Sequence, residues 1–487
     1  MKNKNRHIRL VIFAGIAAGI VFAGCRKDQI YKGDNAQLQF SGDIRNGGLI
    51  TFDTVFTTIG SVTRVLRVLN PYKNTIKTDI SLLGGNVSYY SINVDGISGT
   101  SFKDVEIRGK DSIFIFVKVN LNPNAQNSPM VVADTLVFFT NGNRQNVELV
   151  ACGEDAIFIV PNRVITDDTG KIIMRYNIVA EEGKQVTWTK DKPYVIYGCA
   201  VIDSVAKLTI EAGTRIYLHK KAMIWVYPEG CIHVNGTKDE PVVFQGDRRS
   251  EAYERDYAQW DRIWICEGKN DNIINYAVIK NANVGIQAEI FEKDMGNKLI
   301  LTNTEIRCSE IYNFLGRGYT VEAYNNIFSN SATRCVSLQQ GGNYTFINNT
   351  IYNQYFTVRT EPAVFFSNYY MPDITTIFMG NFQCSFINNI VYGNITNELG
   401  CSITKDADFK LYVENCLIKT DQKALENFTT YSNLILNKDP SVENFKDYNF
   451  RLKSDSPCKG AGKATTQVQQ DITGATRSNP PSIGAYE

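Results

Sequence analysis

Apolar residues recur along this chain in one short phrase: an apolar position, a spacer, an asparagine, then further apolar positions. It occurs as IINYAVI from Ile273, LTNTEI from Leu301, AYNNIF from Ala323, FINNTI from Phe346, FINNIV from Phe386 and VENCLI from Val413. With Asn275, Asn303, Asn325, Asn348, Asn388 and Asn415 as marks, the steps are 28, 22, 23, 40 and 27 residues. The flanking residues alternate with period two and show no helical period, so each unit predicts short strands joined by turns.

A unit of roughly this length, built only of strands and turns, is what one coil of a parallel β-helix requires. Coils stack about 4.8 Å apart, so each strand finds its backbone partners in the coils above and below. An asparagine at a bend tolerates the left-handed backbone conformation, and its amide can bond to the amide of the next coil. Upstream, LTIEAGTRIYL from Leu208 and CIHVNGTKDEPVVF from Cys231 carry Gly213-Thr214 and Gly236-Thr237, 23 residues apart, again one coil. The run YVIYGCAVIDSVAKLTIEAGTRIYL, followed by QWDRIWI, resembles the opening coils of bacterial right-handed parallel β-helix proteins. That resemblance implies a stack from about Phe158 to Leu452, roughly a dozen coils and about 60 Å long. The phrase DITGATRSNPPSIGAYE resembles the closing segment of secreted β-helix proteins, with Asp471, Gly474, Arg477, Pro481, Gly484 and Glu487 at its fixed points. Its expected role is to cover the last open coil.

Between Ala36 and Asp155 the pattern changes to longer alternating strands: 37–41, 62–70, 112–121, 134–141 and 146–153. In SIFIFVKVNL every second residue is apolar, which buries one face as in a two-sheet sandwich. A strand ending in Asn70-Pro71, an extended strand into NLNPN, then DTLVFF and NVELVACG resemble the immunoglobulin-like domains of the ASH/HYDIN type, which implies a spacer or binding platform. The expected fold is all-β, an N-terminal β-sandwich followed by a right-handed parallel β-helix. The expected divisions are 1–24 signal peptide, 25–35 tether, 36–155 sandwich, 156–470 β-helix and 471–487 closing segment.

Composition adds location more than chemistry. The 487 residues carry 51 basic and 50 acidic side chains, and Lys2, Lys4, Arg6 and Arg9 belong to the first nine residues, leaving 47 basic against 50 acidic elsewhere. This balance argues against nucleic-acid binding. The cationic head, the apolar run Leu10 to Ala23 and the small residues before Cys25 fit an export signal too short to span a membrane. Phe22-Ala23-Gly24-Cys25 resembles the lipobox of bacterial lipoproteins, with Phe where Leu is usual. The resemblance implies lipid on Cys25, attachment to the outer membrane and a place on the cell surface. The other ten cysteines include no CxxC pair and no metal-ligand spacing with His219 and His233, so no metal or cofactor is expected and most thiols read as buried small hydrophobes.

Several β-helix families cleave acidic polysaccharides, and a hydrolase needs two facing carboxyl groups while a lyase needs a base beside a uronate. The Gly-His-Gly and Arg-x-Lys signatures of polygalacturonase-like enzymes do not occur. The charged run from Gly246, with Asp247, Glu251, Glu254, Asp256 and Asp261 beside Arg248, Arg249, Arg255 and Arg262, reads as a solvated loop, and Asp406 and Asp408 read as a turn. The 40-residue step between Asn348 and Asn388 is richer: it contains Tyr355, Phe356, Arg359, Glu361, Tyr369 and Tyr370, and Trp260 flanks the charged run. Aromatic rings on an inserted loop suit sugar stacking or a protein interface. These seven residues are the expected binding face, and no catalytic residue is assigned. The sequence reading is a non-catalytic envelope lipoprotein that binds a surface glycan or an outer-membrane protein; the alternative is a polysaccharide lyase or glycosidase.

Overall fold

The computed structural model describes residues 29–44, 48–56, 63–120, 130–249, 253–292, 295–354, 359–421 and 430–487. Cys25 and the expected export signal lie outside the described residues, as do Tyr355 and Phe356. The chain divides into two units, Met1–Asp155 and Ala156–Glu487.

The first unit holds two five-stranded sheets. One runs in the order Gln39–Gly42, Arg64–Leu69, Ser112–Val119, Tyr90–Val94, Ile97–Gly99. The other runs Leu49–Phe56, Asn143–Glu154, Met130–Thr140, Ile76–Leu82, Ser101–Ile107. Alternation decides the packing: Ile113, Ile115, Val117 and Val119 are buried with Leu66, Val68, Leu136, Phe138 and Leu149 in one core, while Phe114 and Phe116 point away from it. Asn70 is fully buried ahead of Pro71. Its amide donates to the carbonyls of Asn74 and Ile107 at 2.9 Å each and its oxygen accepts from the Tyr72 amide at 2.9 Å, which clasps the turn.

The second unit winds through three sheets, here faces I, II and III, in that order on each turn. Face I has eleven strands, from Ile157–Ile159 to Ile435–Leu436. Face II has ten, from Arg163–Thr166 to Leu399–Ser402, and face III has ten, from Gln185–Trp188 to Thr430–Ser432. Neighbouring strands are parallel except at the start of face II, where Arg163–Thr166 pairs antiparallel with Ile172–Ala180. Inward side chains stack in register: Phe244, Ile279, Ile306, Phe328 and Ile351 on face I, and Ile263, Ile286, Phe314, Val336 and Val364 on face II. Each column fills the interior with like side chains at the coil spacing.

The recurring asparagines form the corner from face III to face I. Asn303, Asn325, Asn348, Asn388 and Asn415 all have φ between 50° and 57°, the left-handed bend that asparagine accepts more readily than other side chains. Asn325 donates its backbone N–H to Ile347 O at 3.2 Å, so the first two double-asparagine coils lie one on the other. The second asparagine of each pair forms a fully buried inner ladder: Asn326 Nδ2 donates to Asn349 Oδ1 at 3.0 Å and Asn349 Nδ2 to Asn389 Oδ1 at 2.9 Å.

Two expectations are corrected. The stack ends at Leu436, so it has ten to eleven coils and extends about 50 Å rather than 60 Å. The closing segment does not cover the last coil. Residues 437–487 turn back along face I, where Phe450, Leu452, Ile483 and Ala485 cover the outward Ile327, Ile390 and Leu417. The outer asparagines hold this strap: Asn325 Nδ2 donates to Gln470 O at 2.8 Å, Asn348 Nδ2 to Ser482 O at 3.0 Å, Asn388 Nδ2 to Lys463 O at 2.8 Å and Asn415 Nδ2 to Ala461 O at 3.0 Å. The physical reason is that face I presents apolar residues outward, and their burial outweighs capping an end.

Candidate functional site

Four of the five longest connections of the stack, 247–259, 290–298, 354–363 and 368–381, enter or leave a strand of face II, and the fifth, 419–429, joins a face I strand to a face III strand. Corners between faces III and I are one or two residues long from Asn275 onward, each turned by one left-handed residue, Tyr276 at the first and an asparagine at those that follow. Insertions therefore collect mostly at the edges of one face.

The outward side chains of face II form a continuous row over successive coils. Trp225 and Trp264, register partners on adjacent coils, stack with ring centroids 5.3 Å apart and planes 16° apart. Tyr227 meets Trp225 edge-on at 5.1 Å and Phe291 lies 5.3 Å from Trp264; Tyr227 and Phe291 are 39% and 49% exposed. The Trp225 Nε1–H donates to Cys266 Sγ at 3.2 Å, which fixes the indole. Loop 290–298 is held from below by buried Glu267, whose two oxygens accept from the Phe291 and Glu292 amides at 2.9 and 3.2 Å.

Beyond the indoles the row turns polar. Arg262 pairs with Asp261 at 3.0 Å and donates to Gln287, Gln287 donates to Glu289, and Glu289 pairs with Arg317 at 3.1 Å. The Arg317 guanidinium lies 3.7 Å from the centre of the Tyr370 ring. Further on, Arg334 pairs with Glu361 and lies 4.1 Å from the centre of Phe365. Each carboxylate faces a guanidinium on its own or a neighbouring coil. Gln287 and Glu289 are buried within this network, while Trp225, Trp264, Arg262 and Arg317 stay partly exposed, so the surface presents aromatic planes and guanidinium groups. The nearby thiols contribute no nucleophile: burial pushes Cys199 and Cys266 up to about 12.

The seven expected binding residues divide. Tyr369, Tyr370 and Glu361 reach face II: Tyr370 under Arg317, Glu361 on Arg334, and Tyr369 through its hydroxyl, 2.6 Å from Ser402 Oγ. Trp260 does not. It is fully buried in the coil core, its Nε1–H donating to Lys280 O at 2.8 Å, because its strand turns that position inward. Arg359 does not either. Its side chain is fully buried, pairs with buried Glu398 at 2.5 Å and donates to the Asn353 carbonyl and Asn394 Oδ1 at 3.0 Å each, so it is a strut for the loop. Tyr355 and Phe356 lie outside the described residues. The charged run is a solvent-exposed loop leaving the coil, as expected, and ion pairs pin it. Glu254 pairs with Lys280 at 2.6 Å and Arg307 at 3.5 Å, and Arg255 with Asp447 at 3.5 Å, which lays the loop over face I and the strap. Trp225, Arg262, Gln287, Glu289 and Arg317 are absent from the expected face. One signal for them exists, since MIWV from Met223 and RIWI from Arg262 place a Trp between aliphatic residues at equivalent points of successive coils.

Among the described residues no group of three or more His, Cys, Asp or Glu side chains is arranged to hold a metal, and no helix is long and apolar enough to cross a membrane. A family model described as a pectate-lyase like beta helix domain matches residues 180–297. That span includes Trp225, Asp261, Arg262, Trp264, Gln287 and Glu289. No curated protein matches the chain. Among solved structures the chain is similar, at 8% identity and a TM-score of 0.21, to a family 123 glycoside hydrolase from Clostridium perfringens, with 31% of this chain and 30% of that chain covered. It is also similar, at 11% identity and a TM-score of 0.31, to the catalytic unit of a GH87 alpha-1,3-glucanase from Streptomyces thermodiastaticus, with 77% of each chain covered. The chain thus spans less than a third of the first of these and about three quarters of the second.

Proposed function

We propose that this β-helix acts on polysaccharide, taking an extended glycan chain along face II. The observation that carries the reading is the row itself: stacked, partly exposed indoles at one end, then the Arg262 and Arg317 guanidinium groups held by a Gln287–Glu289 network on neighbouring coils. Indole planes suit the C–H faces of sugar rings and the guanidinium groups suit hydroxyls or carboxylates. Recognition is the primary step. Anchorage to the outer membrane through lipid on Cys25, facing the cell exterior, belongs to the same proposal and rests on the lipobox resemblance.

Cleavage is the second reading, favoured by the match of 180–297 to a pectate-lyase like domain and by Asp261 and Glu289 standing on neighbouring coils. In that reading these two carboxylates would be the acid and base of a hydrolase.

Affinity electrophoresis through gels containing uronate polysaccharides or neutral glucans tests both. Retardation that is lost in Trp225→Ala/Trp264→Ala supports recognition at face II; equal retardation of that variant and the wild type sinks it. Products are followed in parallel, with and without calcium. New reducing ends that disappear in Asp261→Asn and Glu289→Gln establish hydrolysis, and unsaturated ends establish a lyase. Loss of an outer-membrane protein partner with no glycan retardation would return the assignment to a protein-docking scaffold.

A further inference from the structure

The first unit carries its own unused surface. Ser112–Val119 is the central strand of a five-stranded sheet, and its outward residues are Ser112, Phe114, Phe116 and Lys118. Phe114 and Phe116 are 46% and 41% exposed, two phenyl rings side by side on a central strand, where alternation would ordinarily place polar groups. Arg67 stands across from Phe114, while Val65 and Asn93 flank Phe116. Beside the rings lies a cleft of ≈ 560 Å³ lined by Thr63, Ser91, Asn93, Thr100, Phe116 and Lys118 among others. Asn93 is held in place: its Nδ2 donates to Ser98 Oγ at 3.1 Å and its oxygen accepts from the Gly96 amide at 2.9 Å.

The lining separates two occupants. Protein interfaces are enriched in Phe, Tyr, Trp, Met and Arg and depleted in Ser and Lys, so the rings alone fit either occupant and the residues around them decide. Here a phenyl floor is ringed by hydroxyls and a carboxamide, with one cation and no carboxylate among the lining residues. That combination matches a ligand with an apolar C–H face and many hydroxyls around its rim. We infer that Phe114, Phe116 and the Asn93 cleft form a saccharide-binding site on the sandwich, separate from face II, with Lys118 placed to meet a carboxylate-bearing sugar. The sandwich is then a second glycan contact on one chain. Two weak sites tethered together gain avidity from effective concentration.

The test uses the full-length protein and the same polysaccharide gels, in the Trp225→Ala/Trp264→Ala background so that face II does not contribute. Adding Phe114→Ala/Phe116→Ala is expected to weaken residual binding about tenfold. Ser91→Trp, which fills the cleft from an exposed position, is expected to do the same, and thermal melts of both variants report folding. Unchanged residual binding in both variants overturns the inference. So does a Trp225→Ala/Trp264→Ala protein that binds no polysaccharide, or a loss confined to a co-purifying protein. A tryptophan variant that binds as wild type sinks face II, while residual binding that both sandwich variants leave unchanged sinks the sandwich site, so the two readings fail separately.

Discussion

Replacing Asn349 by Ala tests the inner asparagine ladder most directly. Asn349 is fully buried, and its Oδ1 accepts from both the amide and the Nδ2 of Asn326, at 2.9 and 3.0 Å. Its Nδ2 donates to Ala323 O and to Asn389 Oδ1, both at 2.9 Å. Removal leaves the Asn326 N–H buried without that acceptor, while Asn326 Nδ2 keeps Leu301 O at 2.8 Å and Asn389 Oδ1 keeps the residue-349 amide at 2.8 Å. One orphaned donor and the loss of partially compensated bonds together cost about 3–5 kcal/mol, which is a fall of roughly 5–10 °C in melting temperature for a unit of this size. Asn433→Gly is the control: it keeps the left-handed bend and removes only an exposed 3.4 Å bond to Asn415, so its effect stays within about 0.5 kcal/mol. Native-state hydrogen exchange localises the effect, with faster exchange of the Asn326 amide in Asn349→Ala. A melting temperature within a degree of wild type, together with an Asn326 amide as protected as before, would refute the claim that the inner ladder bonds the coils.

Three further outcomes are expected. Arg359→Met strands buried Glu398 and costs about 3–5 kcal/mol, whereas Arg359→Met/Glu398→Gln recovers most of it, as thermal melts will register. The strap responds to acid. Burial opposes ionisation of Glu487, but hydrogen bonds from Ser478 and the Ser482 amide, with the Arg477 guanidinium 3.5 Å away, hold its carboxyl below 4.5. A lowered folded value means the contribution is complete above the ordinary carboxylate range and disappears as pH falls through the folded value. Exchange of the Ser482 amide therefore accelerates in wild type only as pH falls through the lowered folded value, beneath the ordinary carboxylate range, and in Glu487→Gln is already fast at neutral pH. Finally, of the nine cysteines whose side chains are described eight are buried, and burial pushes Cys335, Cys416 and Cys458 up to about 12, so maleimide at neutral pH leaves these three unlabelled until the fold is opened.

What the sequence shows and what it hides follow from one distinction. The corner asparagines repeat because every coil needs the same bend, so register, coil length and the buried ladder are all visible as spacing. Face II does not repeat: its outward residues change from Trp to Gln to Leu to Ser to Phe on successive coils, and no period marks them. An aromatic count does point toward the 40-residue step, and Tyr369 and Tyr370 reach the face, but it cannot separate rings turned inward. Trp260 and Trp264 are four residues apart on one strand, and a bulge between Arg262 and Ile263 sends the first into the core and the second to the surface. Arg359 misleads for a related reason, since a charge in an inserted loop is ordinarily solvated, and only coordinates reveal Glu398 beneath it.

The position of the site follows from what occupies the other faces. Face I is covered outside by the strap and by the charged loop, through Ile483 and Ala485 on Ile390 and Leu417 and through Glu254 on Lys280 and Arg307. Its corner with face III is taken by asparagines already bonded to strap carbonyls. Face III runs outward through Thr209, His233, Ile273, Ile300, Glu322, Thr345, Ser385 and Tyr412, a column in which only Tyr412 is an aromatic plane and no arginine stands beside it. Face II alone, among the described residues, joins stacked indoles, a charge-assisted row and long connections at its edges. The proposed ligand is extended because the partly exposed groups of face II are spread over successive coils and not gathered in one pocket. If chain length governs affinity, binding to face II should strengthen with each added sugar until the row from Trp225 to Phe365 is spanned and then level off. Oligosaccharides of graded length measured by calorimetry decide it: affinity that is already complete with a single sugar would place the ligand in a pocket and not along the coils.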